Sequence, residues 1–366
     1  MRSKVLKLVL VSTPIGYLGS GKGGGVELTL ISLIRGLISL GHEVTLIAPE
    51  KSSLPEDCSR VQIKHLPGID QSSWQHQNHN SPIKIPLNAV LPRLWEAAIE
   101  LGKNADAVLN FSYDWLPIWV SQFLDIEIFH LISMGNVSEV MKGVIKDVSI
   151  NKPYKFAFHT YRQASDYKLS QDPIVVGNGF DMSNYKFQQN KFGPIGWAGR
   201  VAPEKGLEDA AKVAYSLGEK LLVWGLADDV KYVSKLKELF SDEIIEFRGF
   251  LPTESFQNEL GICRVLLNTP KWNEAYGNVV IESMACGVPV VAYDRGGPGE
   301  LIQSGINGFV VPPDDIEAMK VAVSKIDRIE RKNCRKFAEE TASYKIFAKK
   351  IEEWIINGIS HENTIY

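Results

Sequence analysis

Two glutamates, Glu274 and Glu282, are the most informative polar residues of the sequence. The segment Ala-Tyr-Gly-Asn-Val-Val-Ile separates them, and a helix is predicted over 277–286. The first N–H groups of a helix have no partner within it, and they attract phosphate. Carboxylates on either side of such a turn can accept hydrogen bonds from hydroxyl groups. A diphosphate that joins a ribose to a hexose presents its groups in this arrangement.

Two cations precede this segment in the sequence. The loop Gly199-Arg-Val-Ala-Pro-Glu-Lys-Gly206 lies between a predicted strand over 194–198 and a predicted helix over 207–217. Arg200 and Lys205 would point toward one crevice, where two positive charges can neutralise a departing diphosphate without a metal. Either residue alone could be a solvated loop cation. No Asp-x-Asp pair occurs, and Asp125-x-Glu127 comes nearest, so we expect neither a metal nor another cofactor.

A glycine-rich segment, Gly19-Ser-Gly-Lys-Gly-Gly-Gly25, follows the first predicted strand, over 7–12, and precedes a predicted helix over 25–40. It matches part of a dinucleotide-binding fingerprint, with Glu50 as the acidic residue. It also matches part of a P-loop, but Gly23 stands where a Ser or Thr would hold magnesium. A nucleotide-hydrolysing protein therefore remains a weaker alternative. Backbone N–H groups near Gly24 and Gly25 suit a phosphate or a sugar, and a flexible surface loop is the other interpretation.

The composition excludes several classes of protein. The 366 residues are 45% hydrophobic and 23% charged, which is typical of a folded protein of two ordinary domains. The net charge of −3 gives no general attraction to nucleic acid or to an anionic membrane. Four cysteines without a Cys-x-x-Cys pair argue against a zinc ribbon and favour reduced thiols. Lys7 and Pro14 interrupt the apolar start, which favours a first strand over a signal peptide and predicts a cytoplasmic protein.

Strands and helices are predicted to alternate in two consecutive series, with strands over 127–133 in the first series and over 265–268 in the second. This order is typical of α/β domains with parallel, doubly wound sheets. We expect one domain over 1–180, a second over 181–343 with the polar stretch 181–193 as linker, and a last helix from about 344 that returns to the first domain. The polar loop Asp70–Pro82 contains His76 and His79. Since no third ligand is visible nearby, two solvated histidines are preferred over a metal pair.

Together these elements resemble glycosyltransferase family 4, over essentially the whole chain. The resemblance implies the GT-B fold, in which two Rossmann-like domains face each other across a cleft and a C-terminal helix crosses back to the first. It implies transfer of a hexose from a nucleotide sugar with retention of the anomeric configuration. The first domain would bind the acceptor and the second the nucleotide sugar.

The resemblance also assigns residues. Glu274 matches the glutamate near the donor sugar, Glu282 the one that binds ribose hydroxyls, and 248–251 the loop beside the base. His130 is the candidate for a histidine at a strand end near the sugar, with a buried structural histidine as the alternative. The predicted catalytic residues are His130, Glu274, Arg200 and Lys205. The predicted donor-binding residues are Gly24, Gly25, Arg200, Lys205, Gly249, Phe250, Glu274, Tyr276, Gly277, Asn278, Val279 and Glu282.

A closer resemblance concerns segments 12–16, 23–30, 110–117, 130–135 and 269–272. They are similar to members of the family that transfer glucose from UDP-glucose to tetrahydrobiopterin, which implies a pterin side-chain hydroxyl as acceptor. Tyr113, Asp114 and Trp115 follow a predicted strand over 107–111, and flat aromatic groups beside a carboxylate suit an amino-bearing heterocycle. These three residues and Met134 are the predicted acceptor site. Tyr113 and Trp115 could equally be core residues.

Several alternatives remain open. The acceptor could be another small molecule, a lipid or a saccharide, and a non-catalytic sensor of nucleotide sugars could keep the same fold. The residues alone do not separate UDP from GDP or ADP, and they do not set the oligomeric state. The predicted helix over 25–40 carries Arg35 as its single cation, so we expect no stable association with a membrane.

Overall fold

The computed structural model of the chain describes residues 4–72, 80–240 and 243–365, with side chains as far as His361. His76 and His79 lie outside these ranges. The chain divides into two compact units, the first comprising Met1–Phe180 with Tyr344–Tyr366 and the second Asp181–Ser343.

The first unit is built on a parallel sheet. Its strands are β1 Lys7–Val11, β2 Glu43–Pro49, β3 Gln62–Leu66, β4 Ala107–Asn110, β5 Ile128–Ile132, β6 Phe156–Phe158 and β7 Ile174–Val175. They lie in the order β3-β2-β1-β4-β5-β6-β7, and all pairings are parallel. The residues of β4 and β5 are all buried, as expected where helices cover both faces of a parallel sheet. The helices that precede the second unit are α1 Gly25–Ser39, α2 Val90–Gly102, α3 Trp115–Val120, α4 Glu139–Ser149 and α5 Tyr161–Ser165.

The second unit repeats this architecture with a six-stranded sheet. Its strands are β8 Ile195–Ala198, β9 Leu221–Trp224, β10 Ile245–Gly249, β11 Val265–Asn268, β12 Val290–Tyr293 and β13 Gly308–Val311. Their order is β10-β9-β8-β11-β12-β13, again parallel throughout. The helices are α6 Leu207–Leu217, α7 Val230–Leu239, α8 Thr253–Gly261, α9 Asn278–Ala285, α10 Gly297–Leu301, α11 Ile316–Ser324 and α12 Arg331–Ala342. The predicted fold class, two doubly wound α/β units, is confirmed.

The last helix, α13 Tyr344–Ile365, belongs to the first unit, where it packs on α1. Phe347 and Ile351 lie in the same buried cluster as Leu33 and Leu37 of α1. The two helices touch at Gly36, where a Cβ would stand 2.3 Å from the Cβ of Ala348. A glycine is therefore required at this crossing, and the predicted return of the last helix is confirmed.

The stretch 181–193 is not a free linker, which corrects the sequence-based prediction. It lies within the second unit, and Tyr185 is 5% exposed. The N–H of Gln188 donates to the carbonyl of Cys286 at 2.9 Å. Polar composition concealed this packing, because backbone and single aromatic contacts hold the segment in place of a periodic apolar face.

Candidate functional site

The loop after β8 brings the two predicted cations to the carboxyl edge of the second sheet. Gly206 begins α6 with a left-handed φ of 69°, and a Cβ there would stand 1.9 Å from the carbonyl oxygen of Thr269. The cation loop therefore lies directly against the loop that follows β11. Across this contact Lys205 forms an ion pair with Glu274. The structure thus brings together two residues that the sequence separates widely.

Trp272 completes this contact. Its Nε1 donates to Oε1 of Glu274 at 2.9 Å, and the Lys205 ammonium lies 4.9 Å from the centre of its ring. The tryptophan therefore holds both charged groups, by a hydrogen bond and by a cation–π contact. Trp272 was not among the site residues predicted from the sequence. The only indication of it in the sequence was an aromatic residue two positions before Glu274.

Arg200, the other predicted cation, forms an ion pair with Glu204, four residues further along the same loop.

The loop that carries Glu274 is anchored on both sides. Lys271 forms ion pairs with Asp209 and Asp314, the latter at 2.5 Å. Arg295 Nη1 donates to the carbonyl of Pro270 at 3.0 Å, and the N–H of Gly297 donates to the carbonyl of Glu274 at 2.8 Å. Glu274 is thereby fixed through its backbone as well as its carboxylate.

The start of α9 lies next along the chain. Gly277, the residue before the helix, has a left-handed φ of 93°, and a Cβ there would stand 2.8 Å from Cγ of Pro298. Tyr276 before it is 5% exposed, while Asn278 and Val279 are half-buried in the first turn. This turn presents the positive end of a helix dipole, which favours an anion. The predicted phosphate-binding residues are therefore at a helix N-terminus.

Glu282 lies inside α9 and is only 8% exposed. The hydroxyl of Tyr185 donates to its Oε1 at 3.1 Å. Burial raises the pKa of Glu282 to about 7, although the bond from Tyr185 acts in the opposite direction. Near pH 7 this carboxyl group therefore changes its ionisation state, which is unusual for a glutamate. Perturbed ionisation of this kind is common at functional sites.

The predicted base-binding loop follows β10, an edge strand of the second sheet. Gly249 ends the edge strand β10 with a φ of 71°, and its carbonyl accepts a hydrogen bond from Gly225 at 2.9 Å. Phe250 follows with 62% of its surface exposed. An exposed aromatic ring after a left-handed glycine suits stacking on a nucleobase, and this role stays a prediction.

Asn268 was not predicted from the sequence. It ends β11, it is 8% exposed, and its Oδ1 is buried with no hydrogen-bond partner among the described residues. A buried amide oxygen left without a donor costs free energy and calls for an explanation. An Asn at the carboxyl end of a fully apolar strand was the available signal.

His130 is placed differently from the prediction. It is the middle residue of β5 and not its end, and it is 1% exposed. Its Nδ1 lies 3.0 Å from Nδ2 of Asn110, and its Nε2 lies 3.1 Å from Oγ of Ser121. Its ring stacks on Phe156, with 5.0 Å between ring centres. Burial, followed by the charge of Lys155, lowers the pKa of His130 to about 3. A neutral, enclosed ring with both nitrogens partnered does not support the predicted catalytic role.

The glycine-rich loop is organised around Glu27, a residue that was not predicted to belong to the site. Glu27 is 7% exposed, and its carboxylate accepts hydrogen bonds from the N–H groups of Gly19 (2.7 Å), Gly21 (3.3 Å) and Gly23 (2.8 Å). The Ser20 hydroxyl donates to it as well, at 3.2 Å. These amides are therefore occupied by a carboxylate of the chain, which corrects the expectation of bare N–H groups in this loop.

The two glycines predicted to bind donor follow these amides at the start of α1. Gly24 is the residue before the helix, with φ 55° and ψ −132°, and Gly25 is the first helical residue. Only glycine adopts such a backbone conformation at Gly24 without strain. Their predicted contact with a ligand stays a prediction.

The predicted acceptor residues cluster in the core of the first unit. The hydroxyls of Tyr113 and Tyr167 lie 2.9 Å apart, and that of Tyr167 donates to the carbonyl of Met134 at 2.9 Å. Asp114 is 1% exposed and caps α3 by accepting from the N–H of Leu116 at 3.0 Å. Burial raises the pKa of Asp114 to about 6. Trp115, half-buried, is the member of the set with the most accessible ring. The other three have structural partners, so their contact with an acceptor stays a prediction.

Within the described ranges, no group of three or more His, Cys, Asp or Glu side chains is arranged to hold a metal ion. Every helix in that part of the chain is too short or too polar to cross a membrane.

Residues 189–344 match the family model described as Glycosyl transferases group 1. Putative glycosyltransferase YtcC of Bacillus subtilis (strain 168) is 27% identical over 215 residues, which cover 48% of this chain and 52% of that protein. The chain thus spans about half the length of this relative.

A second relative aligns over more of the chain. The GDP-mannose-dependent alpha-mannosyltransferase of Corynebacterium glutamicum is 29% identical over 337 residues, covering 80% of this chain and 74% of that protein. Among solved structures, Anabaena Alr3699/HepE in complex with UDP and glucose is similar with a TM-score of 0.72 and 17% identity, covering 96% of this chain and 100% of that one. Residues 189–344 therefore resemble a glycosyl transferases group 1 domain, and the two Rossmann-like units of the chain match those of solved GT-B structures.

Proposed function

We propose that the chain is a glycosyltransferase that moves a hexosyl group from a nucleotide sugar to a hydroxyl group of an acceptor. The observation that carries the proposal is the contact between Lys205 and Glu274 beside the start of α9. Lys205 contacts Glu274, which stands three residues before Gly277 at the start of α9, and all of these residues lie within the range matched by the family model.

The ion pairs of the free chain suggest how the donor enters. Lys205 and Arg200 each pair with a carboxylate, and their side chains remain 19% and 20% exposed. Partly exposed pairs of this kind contribute about 1 kcal/mol or less. An arriving diphosphate can displace the carboxylates and gain charge-assisted hydrogen bonds of greater strength. Glu274 is then released to accept hydrogen bonds from the sugar hydroxyls.

The same groups would act in the transition state. As the bond between the sugar and the diphosphate breaks, negative charge grows on the leaving phosphate. We expect Lys205, Arg200 and the dipole of α9 to stabilise that charge, so the proposed mechanism requires no metal. Retention of the anomeric configuration is part of the proposal and rests on the family resemblance.

We infer that UDP-glucose is the donor. The support is the resemblance of several segments to UDP-glucose-dependent pterin glucosyltransferases, together with a fold neighbour that was solved with UDP and glucose. GDP-mannose is the competing donor, because a relative aligned over most of the chain depends on it. Neither nucleotide is distinguished by the contacts described above.

Tetrahydrobiopterin is the proposed acceptor, through a hydroxyl of its side chain. The support is again the resemblance of segments 110–117 and 130–135. Trp115 is the side chain of the predicted set best placed for a flat heterocycle, and its ring centre lies 6.4 Å from that of Trp119, which is 48% exposed. A lipid or saccharide acceptor is the alternative, and the assay below separates these outcomes. We expect the protein to act in the cytoplasm.

The test is release of nucleoside diphosphate from UDP-glucose or GDP-mannose by the purified chain, without acceptor and with tetrahydrobiopterin, a lipid acceptor or a saccharide acceptor. We expect pterin-dependent release and a hexosyl-pterin detected by mass spectrometry, with the α configuration by NMR. Release that does not depend on the pterin would exclude tetrahydrobiopterin as the acceptor. Release only from GDP-mannose would exclude UDP-glucose as the donor. Both outcomes are compatible with glycosyl transfer. A chain that turns over no nucleotide sugar with any of the three acceptor classes would contradict the proposal.

Variants test the assigned residues. Lys205→Ala and Glu282→Ala should each lower kcat/KM by about 100-fold or more, because each removes a fixed contact to the donor. Lys320→Ala is the matched control, since Lys320 pairs with Glu317 at 2.9 Å on α11 of the same unit and is 26% exposed. Activity should be unchanged in excess EDTA. Near-normal turnover by either site variant would count against the assignment.

A further inference from the structure

Tyr185 is hydrogen-bonded to Glu282, the residue whose carboxyl group is proposed to bind the ribose of the donor. Its hydroxyl donates to Oε1 of Glu282 at 3.1 Å, and the two residues are 97 positions apart in the chain. We infer that Tyr185 is a positioning residue that orients Glu282 toward the ribose hydroxyls of the nucleotide. This inference rests on the proposed function, and it adds a residue to the donor site.

The geometry of Glu282 explains why it needs a partner. Its backbone is fixed inside α9, but its side chain has three rotatable bonds that the helix leaves free. A carboxylate offers about four lone-pair positions, and the bond from Tyr185 occupies one of them. That bond fixes the carboxyl plane and leaves acceptor positions for two neighbouring hydroxyls, as in a ribose.

Tyr185 is itself held rigidly, by the guanidinium of Arg335. Nη1 of Arg335 donates to the carbonyl of Tyr185 at 2.6 Å and to that of Ala285, the last residue of α9, at 2.7 Å. Nη2 donates to the carbonyl of Met182 at 3.1 Å. A single side chain thus ties the backbone of Tyr185 to the helix that carries Glu282, so the distance between hydroxyl and carboxylate is set from both ends.

The hydrogen bond from Tyr185 also influences the pKa of Glu282, because the carboxyl group is buried. Burial opposes the charged form of Glu282, and the bond from Tyr185 favours it. Ionisable groups near the pair include Cys286, which directly follows α9, and Asp181 ahead of Tyr185; Arg331 and Arg335 of α12 lie near Cys286. Removing the hydroxyl should therefore disturb both the direction of the carboxylate and the pH at which it forms.

The experiment compares Tyr185→Phe with the wild type by calorimetric titration of UDP, GDP and pyrophosphate between pH 6 and pH 9. We expect the nucleotide affinity of Tyr185→Phe to be about tenfold weaker at pH 7, with partial recovery at pH 9. The midpoint of the rise in affinity with pH should move upward by about one pH unit. Affinity for pyrophosphate, which has no ribose, should not change. The donor KM should rise more than kcat falls.

Two further variants complete the test. Glu282→Asp shortens the acid so that it no longer reaches Tyr185, and it should show the same selective loss of nucleotide affinity. Tyr215→Phe removes a hydroxyl from a tyrosine that is 61% exposed in the same unit, and it should bind as the wild type does.

The outcomes separate the inference from the proposed function. If the wild type binds no nucleotide, the proposed function fails and the inference fails with it. If the wild type binds UDP or GDP and Tyr185→Phe matches it in affinity and pH profile, the inference alone is overturned. Equal loss of pyrophosphate and nucleotide affinity would show a general structural defect and would also overturn it.

Discussion

Replacing Glu282 by glutamine should make the second unit more stable at alkaline pH. The pKa of this carboxyl group is raised by burial from an ordinary 4.5 to about 7. A carboxyl group whose pKa is higher in the folded state binds its proton more tightly there. Its stabilising contribution is complete below pH 4.5 and is lost as the pH rises through 7. The glutamine side chain has no proton to lose, and Tyr185 can still donate to its oxygen.

The magnitude follows from the size of the shift. A difference of about 2.5 pH units corresponds to about 3 kcal/mol of stability lost by the wild type at pH 8. At pH 5 the loss is about 1 kcal/mol, because this pH is only slightly above the ordinary pKa of 4.5 at which the unfolded acid ionises. The advantage of Glu282→Gln should therefore grow by about 2 kcal/mol between pH 5 and pH 8. Any constant effect of the amide cancels in this comparison.

Urea unfolding of both proteins at pH 5 and pH 8 measures this difference. Hydrogen exchange of peptides that cover β8 and β11 assigns the transition to the second unit. An equal stability difference at the two pH values would show that the acid ionises as freely in the folded chain as in the unfolded one. If the free energy of unfolding of the wild type rose relative to that of Glu282→Gln between pH 5 and pH 8, the reasoning would be refuted. Nucleotide affinity of the variant should fall at pH 8, so the acid serves binding at a cost in stability.

Four further predictions concern the first unit. Asp114→Asn keeps the cap of α3 and should raise stability by about 2–3 kcal/mol at pH 8 but not at pH 4, since burial raises the pKa of Asp114 to about 6; thermal unfolding at both pH values checks this. His130→Gln should lower the free energy of unfolding by about 1–3 kcal/mol but keep kcat/KM within a few-fold of the wild type. A loss of about 100-fold in kcat/KM with intact folding would support a catalytic role for His130. Glu27→Ala leaves the glycine-loop amides without their carboxylate and should cost about 1–3 kcal/mol in urea unfolding, whereas no change would mean that water replaces it fully. Gly36→Leu should destabilise the packing of α1 on α13 by at least about 2 kcal/mol, and unchanged protection of α13 in hydrogen exchange would contradict this.

The elements that could be predicted from sequence are those with a continuous apolar pattern. The helix predicted over 207–217 is α6 residue for residue, and the strand predicted over 265–268 is β11. The strands β3, β6 and β13 were not predicted. Strand β3 is half-exposed and polar at the sheet edge, and β6 has only three residues. Short or one-sided strands carry too few apolar residues to be distinguished from loops.

Site residues were predictable where a glycine turn marked them. Lys205 and Glu274 stand beside Gly206 and Gly277, whose left-handed backbones signal a turn at the end of a strand or the start of a helix. Trp272 and Tyr185 carry no such mark. Their importance comes from contacts across the fold, and a single sequence does not show which distant residues meet.

The burial of His130 was partly visible in the sequence. The strand predicted over 127–133 consists of apolar residues on both sides of the histidine, as β5 does. A strand buried on both faces leaves a central side chain no path to a ligand at the sheet edge. What the sequence could not show was the pair of partners, Asn110 and Ser121, that make an enclosed histidine tolerable.

The packing of α13 on α1 determines when each unit can fold during synthesis. The second unit is one continuous stretch, Asp181–Ser343, and all of its contacts are available once that stretch has left the ribosome. The core of the first unit instead requires Phe347 and Ile351, which are translated after the whole second unit. Leu33 and Leu37 of α1 must therefore wait with their apolar surfaces uncovered, exposed to aggregation and to chaperones. The unit made first is the unit completed last.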